Sequence, residues 1–238
     1  MTMNTTVVLV HGAFAESASW NGVIAALGDI GIQTIATPNP LRSVTTDADN
    51  VRRAVQAIDG PVILVGHSYG GVVITEAATG AGNVKGLVYV SAFAPDHGET
   101  ALALTDQFPG STLGSTVRPY DLGDGTNDLI VDRSLYPHQF AADVPLDQAA
   151  IAAATQRPIR DYALAEPLPT TTPGWKTLPS WFVFGDADKN IPAEAMQYMA
   201  DRAGSQSTRV IPDASHSSMV SNPGVVAELI VEAVKYVS

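Results

Sequence analysis

An apolar run at residues 61–65, Pro-Val-Ile-Leu-Val, leads directly into the sequence Gly-His-Ser-Tyr-Gly, which ends at Gly70. A short run rich in β-branched residues predicts a strand that is buried on both faces of a sheet. The small and apolar residues at 72–78 predict a helix after it. A strand that passes into a helix through Gly-x-Ser-x-Gly is typical of a sharp turn that holds a serine hydroxyl clear of the backbone. The pattern therefore predicts that Ser68 is a nucleophile.

Strand-like and helix-like segments alternate along most of the chain. The predicted strands are 7–10, 32–36, 61–65, 84–90, 181–184 and 209–211. The predicted helices are 20–27, an amphipathic helix through 51–58 that ends at Gly60, 72–78, 193–202 and 223–236. Such alternation predicts an α/β fold with a mostly parallel, doubly wound sheet and helices on both of its faces.

Residues 95–178 interrupt this alternation. They are rich in proline, glycine and threonine, and only the stretch 147–155 predicts a helix. A connection of about 80 residues is far longer than an ordinary loop, which predicts a cap folded over the edge of the sheet. We therefore predict one domain, with a core of residues 5–94 and 179–238 and a cap insertion at about 95–178.

Composition restricts the partners of the chain. The net charge is −11 and the 13 Lys and Arg residues form no cluster, which disfavours nucleic acid and anionic membrane surfaces. Apolar runs fall short of the roughly 18 to 20 residues that span a bilayer, and the first residues lack the features of a signal peptide. With no cysteine, the chain has no disulfides, thiolate nucleophile or Cys-ligated metal. We expect a cytoplasmic monomer or homo-oligomer without metal or cofactor.

A serine hydroxyl needs a general base within hydrogen-bond reach and a carboxylate that orients this base. His216 follows the last predicted strand, at the carboxyl edge where open α/β sheets bind ligands, and is the predicted base. His11 and His67 stand beside glycines at strand ends and are assigned to local structure. His97 and His138 lie in the cap, where a solvated or substrate-lining role is expected.

Two aspartates in the loop after the strand at 181–184 are candidates for the carboxylate. Asp186 lies close to the strand end and is suited to bracing the turn through backbone hydrogen bonds. Asp188 stands two residues further along and is the preferred candidate. Asp96, which follows the strand at 84–90, is a third candidate.

Attack on a carbonyl group creates an oxyanion, which requires preorganised hydrogen-bond donors. The backbone N–H of Tyr69, directly after the nucleophile, is one predicted donor. The backbone N–H of Ala13, in the His-Gly-Ala-Phe run after the first strand, is the other. An apolar substrate pocket is expected from large side chains near these residues in sequence, with core packing as the alternative. Besides Tyr69 itself, they are Phe14, Trp20, Phe93, Met219 and Val220.

These motifs resemble those of the α/β-hydrolase superfamily over nearly the whole chain. The runs Val-Leu-Val-His-Gly-Ala-Phe at 8–14, Val-Gly-His-Ser-Tyr-Gly-Gly at 65–71 and Val-Ser-Ala-Phe-Ala-Pro-Asp at 90–96 are most similar to one branch. That branch contains small bacterial esterases, plant methylesterases and hydroxynitrile lyases. The resemblance implies the α/β-hydrolase fold, and the Gly-x-x-Asp-x-x-Ile-Pro run at 185–192 matches the superfamily's acid turn. The order Ser68, Asp188, His216 is also that of the superfamily.

The same resemblance separates two reactions within the branch. Its lyases carry a threonine after the first-strand histidine and a lysine after the catalytic histidine, where this chain has Gly12 and Ser217. Without an ammonium group to stabilise a leaving cyanide, ester hydrolysis is favoured over cyanohydrin cleavage. We therefore expect a cofactor-free serine hydrolase that cleaves carboxylic esters of small or medium, largely apolar substrates through an acyl-enzyme on Ser68.

Other functions remain open at this point. The same triad can serve lactone hydrolysis, carbon–carbon bond hydrolysis or cofactor-free perhydrolysis. A non-catalytic ligand-binding protein on a hydrolase scaffold is the alternative from a different class.

Overall fold

The structure of the protein, a computed structural model, describes residues 5–237. Within this range the strands are β1 (Thr6–Val10), β2 (Thr34–Thr37), β3 (Val62–His67), β4 (Val84–Val90), β5 (Val117–Asp121), β6 (Asn127–Val131), β7 (Ile159–Arg160), β8 (Ser180–Gly185) and β9 (Ser207–Ile211). The α-helices are α1 (Asn21–Gly28), α2 (Val44–Gln56), α3 (Tyr69–Ala77), α4 (Ala101–Asp106), α5 (Tyr136–Phe140), α6 (Leu146–Thr155), α7 (Asp161–Ala165), α8 (Ala193–Arg202), α9 (Ser218–Ser221) and α10 (Pro223–Val237). Short 3₁₀ helices occur at Ser17–Trp20, Leu113–Ser115 and Gly174–Lys176.

A six-stranded sheet with the order β2-β1-β3-β4-β8-β9 forms the centre of the molecule. Every neighbouring pair in it is parallel, as the alternation of strands and helices predicts. The carboxyl ends of all six strands therefore meet at one edge, where open α/β sheets bind ligands. The loops that leave β1, β3, β8 and β9 at this edge carry the candidate active-site residues.

Helices cover both faces of this sheet. Successive residues of a strand point to opposite faces, so β1 contributes Val8 and Val10 to one apolar layer and Val7 and Leu9 to the other. The first layer is completed by α2, α3 and α8, and the second by α1 and α10. All these strand residues are buried, which explains why β1 and β3 have continuous apolar sequences.

The observed elements agree closely with the predicted ones in the core, and β4 and α8 have the predicted bounds. The amphipathic helix differs most, because α2 begins at Val44 and ends at Gln56 rather than at Gly60. Its start is set by Ser43, whose hydroxyl oxygen accepts a hydrogen bond from the backbone N–H of Thr46. Such an N-cap satisfies a backbone donor that the first turn leaves without a partner.

The prediction that the long connection holds only one short helix was wrong. The inserted segment, residues 91–179 between β4 and β8, also contains α4, α5 and α7 and an antiparallel sheet with the order β5-β6-β7. These elements have two to six residues each and lie partly at the surface, so their hydrophobic periodicity is weak. The one helix expected there corresponds to α6. The single-domain organisation with a cap stays a prediction.

The inserted segment is fastened to the core by Arg202 on α8. Its guanidinium donates to both carboxylate oxygens of Glu99, at 2.7 and 2.8 Å, and to the carbonyl oxygen of Ala94, at 2.9 Å. The same guanidinium lies 5.3 Å from the ring of Trp175, whose indole N–H donates to the carbonyl oxygen of Pro95. Residues from both ends of the inserted segment therefore contact the guanidinium group of Arg202. No helix among residues 5–237 combines the length and apolarity needed to cross a membrane.

Candidate active site

Ser68 lies at the turn between β3 and α3, in a backbone conformation with φ of 55° and ψ of −124°. This region is disfavoured for residues other than glycine, so the surroundings must hold it. The Ser68 N–H donates to the carbonyl oxygen of Val90 at 3.3 Å, and the Ser68 carbonyl oxygen accepts from the N–H groups of Gly71 and Phe93. The sharp strand-to-helix turn expected from the sequence is present.

Close backbone contacts explain the glycines around this turn. A Cβ atom at Gly66 would lie 2.5 Å from the carbonyl oxygen of Gly70, and one at Gly70 would lie 2.4 Å from that of Val10. Gly12, in the loop after β1, is equally restricted, because a Cβ there would lie 2.6 Å from the Cβ of Ser68. The loop after β1 and the serine turn therefore touch, which requires glycine on both sides.

His216 and Asp188 form a buried pair at the same edge of the sheet. The His216 Nδ1 atom lies 2.6 Å from Oδ2 of Asp188, and both side chains are almost completely shielded from solvent. The second carboxylate oxygen of Asp188 accepts from the backbone N–H groups of Asn190, at 2.7 Å, and Ile191, at 3.0 Å. A carboxylate held in this way places the imidazole proton on Nδ1 and leaves Nε2 of His216 able to accept a proton.

The two rival carboxylates make different contacts. Asp186 is exposed and accepts a hydrogen bond from the backbone N–H of Asp213 at 2.7 Å, the bracing role expected from its position. Asp96 forms an ion pair with Lys176 at 2.6 Å at the base of the inserted segment. Neither carboxylate is joined to His216 by a hydrogen bond in the part of the chain that the structure describes.

Ser68 and His216 both line a cavity of about 710 Å³ between the sheet edge and the inserted segment. The core side contributes Ala13 and Ile191. The opposite wall is largely apolar and comes from short elements of the inserted segment, namely Leu102, Phe108, Leu113, Val117, Leu129, Phe140 and Leu164. In the described chain, Asp106 is the carboxylate of this lining, and no lysine or arginine is part of it.

Only some of the residues expected to line the pocket lie at the cavity. Phe14 and Phe93 line the cavity. Trp20 and Met219 are instead fully buried in the apolar layer beneath α1 and α10. Val220 borders a separate hollow beside α6. Closeness in sequence to the candidate residues did not determine which way these side chains point.

The apolar wall of the cavity was missed by the sequence reasoning. Its residues come from α4, the turn that follows α4, β5, β6, α5, α7 and the 3₁₀ turn at Leu113–Ser115. Each contributes one or two side chains, so no motif marks them. His97 and His138, the two histidines of the inserted segment, are exposed, and neither belongs to the cavity lining among residues 5–237.

The two expected oxyanion donors are backbone groups with no partner among the protein groups of residues 5–237. Tyr69 is the first residue of α3, where a helix leaves its N–H groups without an intrahelical acceptor and carries partial positive charge. Ala13 lies in the loop after β1, next to Gly12, whose hypothetical Cβ would lie 3.1 Å from the Tyr69 nitrogen. Both donors thus belong to segments in contact with the serine turn.

His67 supports the segment that carries His216. Its Nε2 atom lies 3.0 Å from the carbonyl oxygen of His216, and the two rings are 4.8 Å apart. Burial, with a smaller contribution from His216, lowers the pKa of His67 well below its usual value, so the ring is neutral. A neutral ring that donates from Nε2 fits this contact. The local role expected for His67 is therefore a contact between distant parts of the chain.

Tyr69 is anchored by a buried carboxylate on α2. Its hydroxyl donates to Oδ2 of Asp47 at 2.9 Å, while Oδ1 of Asp47 accepts from the backbone N–H of Arg42 at 3.1 Å. Burial raises the pKa of Asp47 to about 6, against the lowering effect of these hydrogen bonds. The side chain of Tyr69 therefore belongs to the core, while its backbone faces the site.

The raised pKa of Asp47 makes stability depend on pH. Between about pH 4 and 6 the folded protein binds more protons at Asp47 than the unfolded chain does. Protonation of Asp47 therefore contributes to the free energy of unfolding at low pH, and this contribution is lost as the pH rises through 6. The loss amounts to about 3 kcal/mol. Asp47→Asn is expected to remove it, so that the variant gains free energy of unfolding relative to the wild type as the pH rises from 4 to 7.

Urea unfolding at a series of pH values measures this difference. Asp59→Asn removes a negative charge at an exposed position and serves as the control. Parallel pH profiles of the wild type and Asp47→Asn would show that Asp47 is ionised equally in both states.

Comparisons with known proteins show which family and fold this chain resembles. A sequence model of the alpha/beta hydrolase family matches residues 7–229. The probable hydrolase R7 of Phoma sp. is 25% identical over 245 residues, covering 95% of this chain and 96% of that protein. The alpha-hydroxynitrile lyase of Arabidopsis thaliana is 23% identical over 236 residues, covering 91% and 92%.

Solved structures show the same fold. The crystal structure of polyneuridine aldehyde esterase, an enzyme of Rauvolfia serpentina, superimposes with a TM-score of 0.82 at 19% identity and covers 96% of this chain and 98% of that one. The resemblance seen in the sequence motifs and the expected fold are confirmed. The chain belongs to the alpha/beta hydrolase family.

Proposed function

We propose that the protein is a carboxylic ester hydrolase in which Ser68 is the nucleophile, His216 the general base and Asp188 the group that orients the base. The observation that carries this proposal is the buried hydrogen bond of 2.6 Å between His216 and Asp188 on the cavity that Ser68 also lines. A base held by a carboxylate beside a serine at a strained turn is the arrangement that activates a hydroxyl for acyl transfer.

The reaction follows from these positions. As Ser68 Oγ attacks the ester carbonyl carbon, its proton passes to Nε2 of His216 and the carbonyl π electrons move onto oxygen. The N–H groups of Ala13 and Tyr69 stabilise this oxyanion. Collapse of the intermediate breaks the bond to the alcohol, which leaves with the proton from His216. Water then attacks the acyl-enzyme with the same base, releasing the acid and restoring the Ser68 hydroxyl.

Asp188 acts at the moment when His216 becomes positively charged. The pair is removed from water, so the attraction between imidazolium and carboxylate is strong. The two backbone N–H groups on the other oxygen of Asp188 hold the carboxylate in place. Asp188 therefore stabilises the transient cation and fixes the ring orientation before substrate binds.

The size and lining of the cavity favour esters with small or medium, largely apolar groups as substrates. Its volume of about 710 Å³ lies within the range of ligand pockets for small molecules, and its outer wall is built from aliphatic and aromatic side chains. With Asp106 as the carboxylate of the lining and no lysine or arginine in the described part of it, an uncharged substrate suits the cavity better than an anion.

Cyanohydrin cleavage is the second candidate, because one relative is named as a hydroxynitrile lyase. The residue directly after His216 bears on whether the site could cleave a cyanohydrin. Ser217 is buried, and both its hydroxyl and its backbone N–H donate to the carbonyl oxygen of Phe140, at 3.0 and 3.1 Å. It offers no cation to a leaving cyanide, which favours ester hydrolysis.

The experiment compares p-nitrophenyl butyrate with a δ-lactone, mandelonitrile, a 1,5-diketone and hydrogen peroxide in acetate buffer. We expect Ser68-dependent turnover of the ester, unchanged by dialysis against EDTA, and no cyanide release. A lactone or diketone with the higher kcat/KM would assign the site to that alternative reaction, and peroxyacid formation as the main activity would assign it to perhydrolysis. Labelling of Ser68 by a fluorophosphonate without turnover of any substrate would indicate a ligand-binding protein.

A further inference from the structure

The loop after β1 contains a second strained residue, Phe14, with φ of 59°. A bulky residue in the left-handed region is disfavoured and persists only where its surroundings hold it. Here both polar backbone groups of Phe14 are bound by the inserted segment. Its N–H donates to the carbonyl oxygen of Arg157 at 3.1 Å, and its carbonyl oxygen accepts from the hydroxyl of Tyr136 at 2.9 Å.

The other side of Ala13 is held by His11. The Nδ1 atom of His11 lies 2.9 Å from the carbonyl oxygen of Gly12, while Nε2 accepts from the backbone N–H of Asn39 at 3.0 Å. The amide of Asn39 also donates to the His11 carbonyl oxygen. Because Nε2 is an acceptor, the proton is on Nδ1 and donates to Gly12. Burial lowers the pKa of His11 to about 4, in keeping with a neutral ring.

These contacts determine where the Ala13 N–H points. The carbonyl of Gly12 and the N–H of Ala13 belong to one planar trans peptide, so fixing the first in one direction fixes the second in the opposite direction. The next two peptides are fixed by the contacts of Phe14 with Arg157 and Tyr136. Ala13 thus stands between peptide units that are held on both sides.

We infer that Tyr136 is a positioning residue for the proposed reaction: its hydroxyl holds Phe14 in the left-handed conformation and so places the Ala13 N–H for the oxyanion. This inference rests on the proposed ester hydrolysis. It gives the inserted segment a part in building the site beyond forming its outer wall. Tyr136 itself does not belong to the cavity lining in the described chain, so it acts through the loop.

The Tyr136 hydroxyl is suited to this role because its ring is immobilised. Tyr136 is buried and stacks on Phe140, with ring centroids 4.9 Å apart and an interplanar angle of 23°. Phe140 in turn lines the cavity and meets the ring of His216 edge-on at 4.8 Å. The hydroxyl is therefore held in place by the same aromatic cluster that packs against the base.

The test is Tyr136→Phe, which removes one oxygen atom and keeps the ring stacking that maintains the fold. Without the hydroxyl, Phe14 is free to relax and the Ala13 N–H shifts. We expect kcat for p-nitrophenyl butyrate to fall about tenfold with KM within about twofold, since a displaced oxyanion donor costs less than a deleted one.

Tyr89→Phe is the matched control. Tyr89 is also buried, stacks on Phe182 with centroids 4.5 Å apart, and shares a hydrogen bond of 2.8 Å with Thr75 away from the cavity. Both variants lose a buried hydroxyl hydrogen bond and are expected to show similar losses in Tm. Only Tyr136→Phe is expected to lose kcat.

A trifluoromethyl ketone separates positioning from a general structural effect. The Ser68 oxygen adds to its carbonyl carbon, the serine proton passes to His216, and the resulting hemiketal oxyanion needs the same donors as the transition state. Its affinity should fall in Tyr136→Phe by the same factor as kcat/KM and stay unchanged in Tyr89→Phe. Wild-type kcat and ketone affinity in Tyr136→Phe, or equal losses in both variants, would overturn the inference. Absence of Ser68-dependent hydrolysis in the wild type would instead refute the proposed function.

Discussion

Ser68→Ala is expected to lower kcat for p-nitrophenyl butyrate by at least about 10⁴-fold, because without the hydroxyl no acyl-enzyme can form. The remaining rate would come from the oxyanion donors and substrate binding alone. The fold should tolerate the change. Alanine and serine carry a similar penalty at the φ of 55° found here, and no hydrogen bond of the Ser68 hydroxyl to another described residue is present.

Ser180→Ala provides the control for this result. Ser180 is also buried, lies at the opposite end of the sheet at the start of β8, and its hydroxyl has no hydrogen-bond partner among the described residues. We expect wild-type kcat in this variant. Steady-state rates and Tm measured on both variants compare the loss of a buried serine hydroxyl inside and outside the cavity. Retention of more than about a tenth of wild-type kcat in Ser68→Ala would refute the nucleophile assignment.

Asp188→Asn is expected to lower kcat about 10³- to 10⁴-fold with KM little changed. The amide keeps the size of the side chain, but its NH₂ group can donate to Nδ1 of His216 where the carboxylate could only accept. The imidazole proton then moves to Nε2, and His216 can no longer take the proton of Ser68. The variant also lacks the negative charge that stabilises the imidazolium.

Asp186→Asn is the matched control, since Asp186 lies two residues earlier in the same loop and bonds to Asp213 rather than to His216. Its kcat should stay within about twofold of the wild type. Rates measured on both variants distinguish the two candidates that lie in this loop. A larger loss in Asp186→Asn than in Asp188→Asn would reverse the assignment.

The core of the fold could be predicted from the sequence because its signals are local. Apolar runs mark β1, β3 and residues 87–90 of β4, and the pattern around Ser68 requires glycines wherever two backbones approach each other. Glycine also marks the contact between the loop after β1 and the serine turn, although the sequence alone does not show that Gly12 faces Ser68.

The inserted segment could not be predicted to the same degree. Its elements are short, and residues such as Val117 and Leu129 face the cavity singly, so no periodicity points to the wall they form. Trp20 and Met219 illustrate the converse, since residues next to the site in sequence pack into the core. Closeness in sequence determines neither the direction in which a side chain points nor how deeply it is buried.

Long-range hydrogen bonds are the other features that the sequence does not reveal. The contacts from His67 to the backbone of His216 and from Tyr136 to that of Phe14 join residues more than a hundred positions apart. A histidine beside a glycine at a strand end suggests only local structure, and a tyrosine in an irregular segment suggests nothing specific. Their partners become visible only when the sheet edge and the inserted segment are brought together.

Covalent trapping tests the nucleophile assignment most directly. The protein is incubated with an alkyl fluorophosphonate, in which Ser68 Oγ would displace fluoride from phosphorus, and the modified residue is located by peptide mass spectrometry. We expect one phosphonyl group per chain on the peptide that contains Ser68, loss of ester hydrolysis in proportion to labelling, and no label in Ser68→Ala. Full ester turnover by protein phosphonylated at Ser68, or inactivation with the label on another residue, would contradict it.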